Sequence, residues 1–194
     1  LKPVKPFEPV RADRIPAGEN WIAQVKWDGV RMLTYCDGTE TRLVNRRLHD
    51  RTRQYPELAK PGAWCAASSF VLDGEVIALR GGKPSFYRIM TRDNLRNEAA
   101  IRQAAGREPA TYMIFDLLYL NGEWLTSRPL RERQERLADI VRPRDNVQLV
   151  NNVADGERLL AVMKQFGMEG IVCKDLSSTY VPGGEDGRWR KVKL

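Results

Sequence analysis

The chain has 194 residues, of which 42% are hydrophobic and 29% are charged, and its formal net charge is +7. This length and composition describe a globular protein with one good core, in which one or two subdomains fit. No apolar run has the length of a membrane helix or of a signal peptide, so we expect no membrane association. The positive charge favours a polyanionic partner, although basic composition alone is weak evidence.

Histidine and cysteine usage excludes several kinds of site. His49 is the only histidine, which nearly excludes histidine metal centres and catalytic triads. The cysteines, Cys36, Cys65 and Cys173, lie far apart and lack the spacing of metal ligands. We expect them to be reduced and buried.

Hydrophobic patterning predicts short strands joined by hairpins, with a few helices between them. Residues 1–20 are rich in proline and charge and are predicted to be an extended lead-in. The predicted strands are 21–26, 30–36, 41–45, 70–79, 112–120, 147–150, 170–173 and 189–193. Composition predicts helical structure over 87–105, 129–141 and 155–166, the last capped by Asp155. We therefore expect an α+β fold of antiparallel sheets flanked by helices.

Lys26 is a candidate nucleophile. It follows an apolar strand-like segment and lies close to Gly29, which lets backbone and ligand approach closely. An amine attacks phosphorus only when it is neutral, and nearby cations favour that form and also stabilise phosphate charge. A charged surface turn is the alternative for this stretch alone. The candidate cations are Arg31, Arg46, Lys174, Lys191 and Lys193.

Two acids stand in otherwise apolar strands. Glu75 and Glu169 would be costly to bury without a partner. A divalent cation or a ribose hydroxyl would suit them, and a salt bridge to a neighbouring cation is the alternative. Strict alternation puts Glu169 and Lys174 on opposite faces, so the strand must bend or end between them if both line one pocket.

Two further features have a structural and a functional interpretation. Phe115 could stack on a purine base or belong to the core. Lys191 and Lys193 point to one side of an ideal strand, where they could bind phosphate or form a solvated edge. Each interpretation stays open on these residues alone.

Five ordered segments together resemble a known superfamily. Their motifs are similar to those of the covalent nucleotidyltransferases, which comprise ATP-dependent DNA ligases, RNA ligases and mRNA capping enzymes. The resemblance covers residues 21–194, and Phe115–Gly122 is most similar to compact bacterial and archaeal DNA ligases, including the ligase domains of end-joining enzymes. It implies their ATP-grasp-like catalytic fold. The segments are Lys26-Trp27-Asp28-Gly29-Val30-Arg31, Asp73-Gly74-Glu75, Phe115-Asp116, Glu169–Lys174 and Trp189–Lys193.

The resemblance implies a reaction. Lys26 would form lysyl-AMP from ATP with Mg²⁺ or Mn²⁺ and expel pyrophosphate. The AMP would pass to the 5′-phosphate of nicked or broken double-stranded DNA, and a 3′-hydroxyl would then seal the break in repair or end joining. A cytoplasmic, nucleoid-associated location follows from that substrate.

The resemblance also implies individual roles. Arg31 and Arg46 would contact the ribose and phosphates, and Phe115 would stack on adenine. Glu75 would bind the ribose or the metal, and Glu169 would help to hold the metal. The α-phosphate would be held by Lys174 and Lys191, with Lys193 close behind.

The sequence departs from the family in two motifs. Gln24 stands where the family often has a glutamate that reads adenine. Asn45-Arg46-Arg47-Leu48 stands where the family usually has S/T-R-N-G. These departures concern the base contact and the arginine motif.

In the family an OB-fold domain follows the fifth motif, and residues 1–194 are too short to contain one. We therefore expect an adenylation domain of a longer ligase, without its OB-fold domain, that is monomeric and seals nicks poorly. An RNA ligase or a capping-type guanylyltransferase is the first alternative. A basic nucleic-acid-binding module without catalysis is the second.

Overall fold

The computed structural model describes residues 1–194, which form twelve strands and four α-helices. The strands are β1 (Glu8–Arg11), β2 (Trp21–Val25), β3 (Val30–Asp37), β4 (Thr41–Asn45), β5 (Ser69–Ile77), β6 (Leu79–Arg80), β7 (Lys83–Pro84), β8 (Thr111–Leu120), β9 (Glu123–Trp124), β10 (Val147–Leu149), β11 (Gly170–Asp175) and β12 (Glu185–Lys193). The helices are α1 (Phe86–Asp93), α2 (Glu98–Arg107), α3 (Leu130–Ile140) and α4 (Gly156–Gln165). Three 3₁₀ turns, Thr52–Gln54, Pro56–Leu58 and Pro61–Ala63, lie between β4 and β5.

The fold is built on two main β-sheets. The smaller sheet has the order β1-β12-β11-β2, and the larger has the order β10-β8-β5-β3-β4 with β9 beside β8. Most neighbouring strands are antiparallel, as predicted, but β1 with β12 and β10 with β8 are parallel pairs. Strand patterning alone does not reveal such pairings between segments distant in sequence. No helix is long and apolar enough to cross a membrane.

The lead-in prediction for residues 1–20 is wrong in part. Residues 8–11 form β1 at the edge of the smaller sheet, and Phe7 is completely buried beside it. Pro6 and Pro9 hide this strand in the sequence, because proline suits only edge strands and strand ends. The first segment of the chain is therefore part of the fold.

The bounds of α3 and α4 agree closely with the predicted helices 129–141 and 155–166. Asp155 caps α4, its carboxylate accepting a hydrogen bond from the Arg158 amide. Residues 87–105 form two helices, because Asn94 ends α1 and Asn97 caps α2. All three cysteines are free thiols, but Cys36 is only partly buried, contrary to expectation.

Three apolar clusters fill the spaces between the layers of the fold. The first packs the larger sheet against the helices and includes Leu72, Ile114 and Leu117. The second lies between the sheets and includes Phe7, Leu33 and Trp189. The third packs the smaller sheet against α4 through Ile171, Cys173 and Met163.

Two register shifts between β5 and β8 redirect side chains toward the space between the sheets. Asp73 pairs with Asp116 and Gly74 with Ile114, so Phe115 has no partner on β5. The other shift skips Leu118 in the same way. Such bulges re-aim side chains next to functional sites, and here Phe115 and Leu118 both join the cluster between the sheets.

Candidate active site

A cavity of about 310 Å³ lies between the two sheets, within the size range of small-molecule sites. It is lined by residues from both sheets and from the loop that follows β2. Eight of the predicted site residues line it: Gln24, Lys26, Arg31, Arg46, Glu75, Phe115, Lys174 and Lys191. Glu169 and Lys193 do not line it, but Glu169 pairs with Lys26 at its edge and Lys193 pairs with Glu169.

Strand alternation explains which side chains reach the cavity. On β11, Ile171 and Cys173 pack in the cluster against α4, whereas Val172 and Lys174 line the cavity. On β12, Val192 packs in that same cluster, whereas Trp189 and Lys191 line the cavity. Each strand thus supplies both a core face and a site face.

Lys26 forms an ion pair with an acid at the cavity edge. Its Nζ is 3.0 Å from Oε1 of Glu169, and Nζ of Lys193 is 3.3 Å from the same oxygen. Partial burial opposes ionisation of Glu169, but the two lysines hold its pKa below the usual value. Glu169 precedes β11, which begins at Gly170. The predicted conflict between Glu169 and Lys174 is therefore avoided, because the strand starts between them.

Gly29 is required where the loop after Lys26 meets β5. A Cβ at Gly29 would lie 2.1 Å from the carbonyl oxygen of Val76, which no side chain tolerates. Its amide instead donates a hydrogen bond to Oε2 of Glu75 at 3.2 Å. This contact fixes the Lys26 loop against the Glu75 carboxylate.

Glu75 has no ion-pair partner in the structure. Burial raises its pKa to about 7, although Arg31, Lys26 and Arg46 act in the opposite direction. The salt-bridge alternative therefore does not apply to Glu75, whereas Glu169 does form salt bridges. A half-buried carboxylate with an unused oxygen is suited to receive a ligand hydroxyl or cation.

Arg31 is largely engaged by the protein. Its Nε and Nη2 donate to the buried Asp73, each at 2.7 Å, and Nη1 donates to Glu8 at 3.0 Å. Nη2 also donates to the carbonyl oxygen of Phe7 at 2.8 Å, and the Tyr180 hydroxyl donates to Asp73 at 2.7 Å. Four of the five guanidinium N–H groups are used, which leaves one for the ribose or phosphate predicted to bind there.

Arg46 reaches the cavity from the turn after β4. Its Nε lies 2.7 Å from Oε2 of Glu8, and 62% of its side chain is exposed. Glu8 thus pairs with Arg31 through one oxygen and with Arg46 through the other. Arg46 is anchored at one side of its guanidinium and open at the other.

Lys174 is enclosed by two aromatic rings. Its Nζ lies 4.0 Å from the ring centroids of both Phe115 and Trp189, and the residue is 2% exposed. It forms no salt bridge or hydrogen bond within the protein. Burial lowers the pKa of Lys174 to about 7, against the opposing effect of Asp116. An anion bound beside Lys174 would favour its charged ammonium form.

Gln24 is fixed by an amide chain. Its Nε2 donates to Oδ1 of Asn152 at 3.0 Å, and Asn152 exchanges hydrogen bonds with Gln134. The residue is 2% exposed but lines the cavity. The oxygen of its side-chain amide has no donor within the protein and is available as an acceptor.

Sequence reasoning missed several lining residues. Trp189 shares a face of β12 with Lys191 and could have been found by alternation, whereas Trp27 lies in the loop after β2, where alternation is no guide. Glu8 and Glu185 could not have been found in this way, because β1 was not recognised and their pairing across β1 and β12 is parallel. No local sequence signal identifies such a contact.

The protein offers few metal donors at the site. No group of three or more His, Cys, Asp or Glu side chains is arranged to hold an ion. Glu75 and Glu169 each retain one oxygen without a hydrogen-bond or ion-pair partner. Mg²⁺ is commonly held by one or two carboxylates together with substrate phosphates, so this donor set fits a nucleotide-bound cation.

Known proteins resemble this chain along almost its whole length. A family model described as the ATP dependent DNA ligase domain matches residues 9–193. A DNA ligase from Methanopyrus kandleri is 33% identical, with all of this chain and 37% of the relative covered. One from Methanoculleus marisnigri is 31% identical, with 98% and 36% covered. The chain thus spans little more than a third of these relatives.

Solved structures of DNA ligases are similar to this chain over almost its whole length. Mycobacterial DNA ligase D, complexed with ATP and MES, is 28% identical with a TM-score of 0.76, and the match covers 98% of this chain and 60% of that one. The ligase domain of M. tuberculosis LigD is also 28% identical, with a TM-score of 0.77 and coverage of 98% and 59%. These likenesses confirm the predicted fold class.

Proposed function

The chain belongs to the family of ATP-dependent DNA ligase domains, and from that membership we propose that it is the adenylation domain of a DNA ligase. Its substrates are ATP and a DNA end that carries a 5′-phosphate. The observation that best supports this is one cavity lined by Lys26, Lys174 and Lys191, with Glu75 and Phe115 beside them. A nucleophilic amine and phosphate-binding cations therefore share one nucleotide-sized space.

Lys26 is the proposed nucleophile. Lys26 is paired with Glu169 as an ammonium, so a proton must leave to solvent before attack, while Glu169 stays ionised. The Lys26 amine then attacks the α-phosphorus. A phosphorus–nitrogen bond forms, the phosphorus–oxygen bond to pyrophosphate breaks, and its electron pair leaves with pyrophosphate. Lys193 balances the charge on Glu169 meanwhile.

The second half of the proposed reaction regenerates the free Lys26 side chain. An oxygen of the DNA 5′-phosphate attacks the same phosphorus, the phosphorus–nitrogen bond breaks, and Lys26 regains a proton. A 3′-hydroxyl then attacks the activated 5′-phosphate and releases AMP. Lys174 and Lys191 neutralise the phosphate charge that develops in each step.

Glu75 and Glu169 are the proposed contacts to a divalent cation, through the carboxylate oxygens that the protein leaves unused. Mg²⁺ or Mn²⁺ held there together with the nucleotide would neutralise phosphate charge. The ribose is the alternative ligand of Glu75. Arg31 contributes its one remaining N–H group and otherwise orders the cavity wall.

Gln24 and Phe115 are the proposed base contacts. Gln24 donates to Asn152, so its oxygen faces the ligand as an acceptor. An acceptor there matches the exocyclic amine of adenine rather than the O6 of guanine. This favours ATP over the GTP of a capping-type guanylyltransferase, and Phe115 adds a stacking surface.

Transfer from labelled nucleotide tests the proposal. The chain is incubated with ATP or GTP labelled at the α-phosphate and then chased with nicked DNA or nicked RNA that carries a 5′-phosphate. We expect covalent label from ATP only, and its transfer to the DNA. Label from GTP or transfer to RNA only would favour the alternative members of the superfamily, and no label would contradict the proposal. The cytoplasmic, nucleoid-associated location and the monomeric state are proposals that follow from this function.

A further inference from the structure

A second cavity adjoins the nucleotide cavity. It has a volume of about 370 Å³ and shares Glu8 and Arg46 with the first. No hydrophobic residue lines it. Its lining residues are Lys5, Pro6, Glu8, Arg46, Arg47 and Gly183, and we call it the Arg47 cleft.

The charge of the Arg47 cleft is strongly unbalanced. Lys5, Arg46 and Arg47 face one acid, Glu8, whose two oxygens are already engaged by Arg31 and Arg46. Lys5 and Arg47 are exposed and form no ion pair in the structure. Cations without partners beside a phosphate-binding cavity are suited to bind further phosphate.

The turn that carries Arg46 and Arg47 is held in a fixed shape. The side-chain oxygen of Asn45 accepts hydrogen bonds from the amides of Arg47 at 3.0 Å and His49 at 2.9 Å. Leu48 has a φ of 66°, a conformation that a leucine rarely adopts. Strain of this kind persists where the surroundings enforce it, and ligand clamps are frequent locations.

Lys5 is anchored on the opposite wall. Its carbonyl oxygen accepts a hydrogen bond from the Gly183 amide at 2.9 Å, in the loop that leads into β12. The amide of Glu8 donates to the carbonyl oxygen of Gly184 at 2.8 Å. Both walls of the cleft therefore have a hydrogen-bonded backbone, from which the Lys5 and Arg47 side chains extend without an ion-pair partner.

We propose that the Arg47 cleft is a second phosphate site, in which Lys5 and Arg47 bind phosphate groups that extend beyond the α-phosphate of the bound nucleotide. The proposal rests on the proposed function. The shared chemistry is a terminal phosphate, supplied either by the β- and γ-phosphates of ATP or by the 5′-phosphate of a DNA strand. Arg46 lies between the two cavities and serves both.

The test uses the Lys5→Ala/Arg47→Ala double variant, with Arg47→Lys as the charge-retaining variant. Arg102→Ala is the matched control, because Arg102 is exposed on α2 and lines neither cavity. Calorimetry compares the affinity for ATP with that for AMP. Fluorescence anisotropy compares nicked duplexes with and without a 5′-phosphate over a range of salt concentrations.

We expect the double variant to bind AMP like the wild type. It should lose about tenfold in affinity for ATP if the nucleotide tail occupies the cleft, or for 5′-phosphorylated nicked DNA if the strand does. In the DNA case the plot of log affinity against log salt concentration should also become less steep, because about two fewer counterions are released on binding. Arg47→Lys should retain most of the affinity and Arg102→Ala all of it.

Wild-type affinity of the double variant for both ATP and phosphorylated DNA would overturn the cleft assignment, as would an equal loss for AMP. In that case AMP binding and covalent labelling of Lys26 by the wild type would leave the proposed function intact. A wild type that binds no adenine nucleotide and takes up no label would overturn both.

Discussion

The two faces of the larger sheet are made by the same strands but have opposite chemistry. One face packs against the helices through a cluster of 19 buried apolar residues. The other faces the smaller sheet and carries the Arg31–Asp73 pair, Glu75 and Phe115 around the cavity. The first face supplies folding energy, whereas the second buries charges that are costly unless every partner is present. Mutations on the first face should therefore affect stability, and mutations on the second should affect ligand binding.

The largest loss of stability is expected from Arg133→Met. Arg133 and Asp116 are both completely buried and joined at 2.8 Å, and Arg133 also donates to the carbonyl oxygen of Ser178 at 2.8 Å. Removing the cation leaves Asp116 unpaired, which should lower the free energy of unfolding by about 3 to 5 kcal/mol. Urea denaturation measures this change in the free energy of unfolding. The Asp116→Leu/Arg133→Met double variant should recover part of the loss, and a single-variant loss below about 1 kcal/mol would contradict this reasoning.

A direct comparison of the two faces uses neighbours on β8. Leu117→Ala should cost about 2 to 5 kcal/mol of stability, because Leu117 is completely buried on the helix side. Phe115→Ala should cost less stability but weaken adenine-nucleotide binding by about 1 to 3 kcal/mol, the usual range for loss of a base-stacking ring. Denaturation and calorimetry on both variants separate the effects. Equal effects of the two variants on nucleotide affinity would mean that the face assignment is wrong.

Lys174 gives the cavity face a pH dependence. Its pKa is about 7 in the folded chain, lowered chiefly by burial, against an ordinary value of 10.5. Between these values the unfolded chain binds more protons, so wild-type stability should rise with pH relative to Lys174→Met, by on the order of a few kcal/mol. Denaturation at several pH values from about 7 to about 10 measures the difference. A difference that stays constant across this range would contradict the depressed pKa.

The smallest effect is expected from Lys193→Ala. Its contact with Glu169 joins side chains that are 42% and 27% exposed, and exposed ion pairs contribute about 0 to 1 kcal/mol. Stability should hardly change, whereas the rate of Lys26 labelling should change because Glu169 loses one of its two cations. Lys164→Ala, an exposed lysine on α4, is the matched control. A loss of stability above about 1 kcal/mol would show that the pair is structural.

Much of the fold was predictable because its signals are local. The hairpin of β3 and β4, the α4 cap at Asp155 and the alternation of β11 follow from turn residues, capping and strand period. The sequence motifs also anticipated which residues meet around Lys26. Their chemical roles remain predictions.

The remainder depended on contacts that sequence patterns do not encode. Strand β1 is hidden by prolines, so Glu8 and its two arginine contacts were missed. Arg31 was expected to contact ligand, but the position of Asp73 across β3 and β5 engages most of its guanidinium. The bulge that leaves Phe115 without a partner is a property of strand pairing rather than of either strand alone.

The most direct test of Lys26 as the nucleophile is intact-mass spectrometry of the chain before and after incubation with ATP and Mg²⁺, beside Lys26→Arg. We expect a gain of one adenylate in the wild type, located on Lys26 by peptide fragmentation and absent in the variant. Lys26→Arg keeps the charge beside Glu169, so loss of the adduct would report loss of the nucleophile. An adduct on another residue, or one that persists in the variant, would show that Lys26 is not the nucleophile.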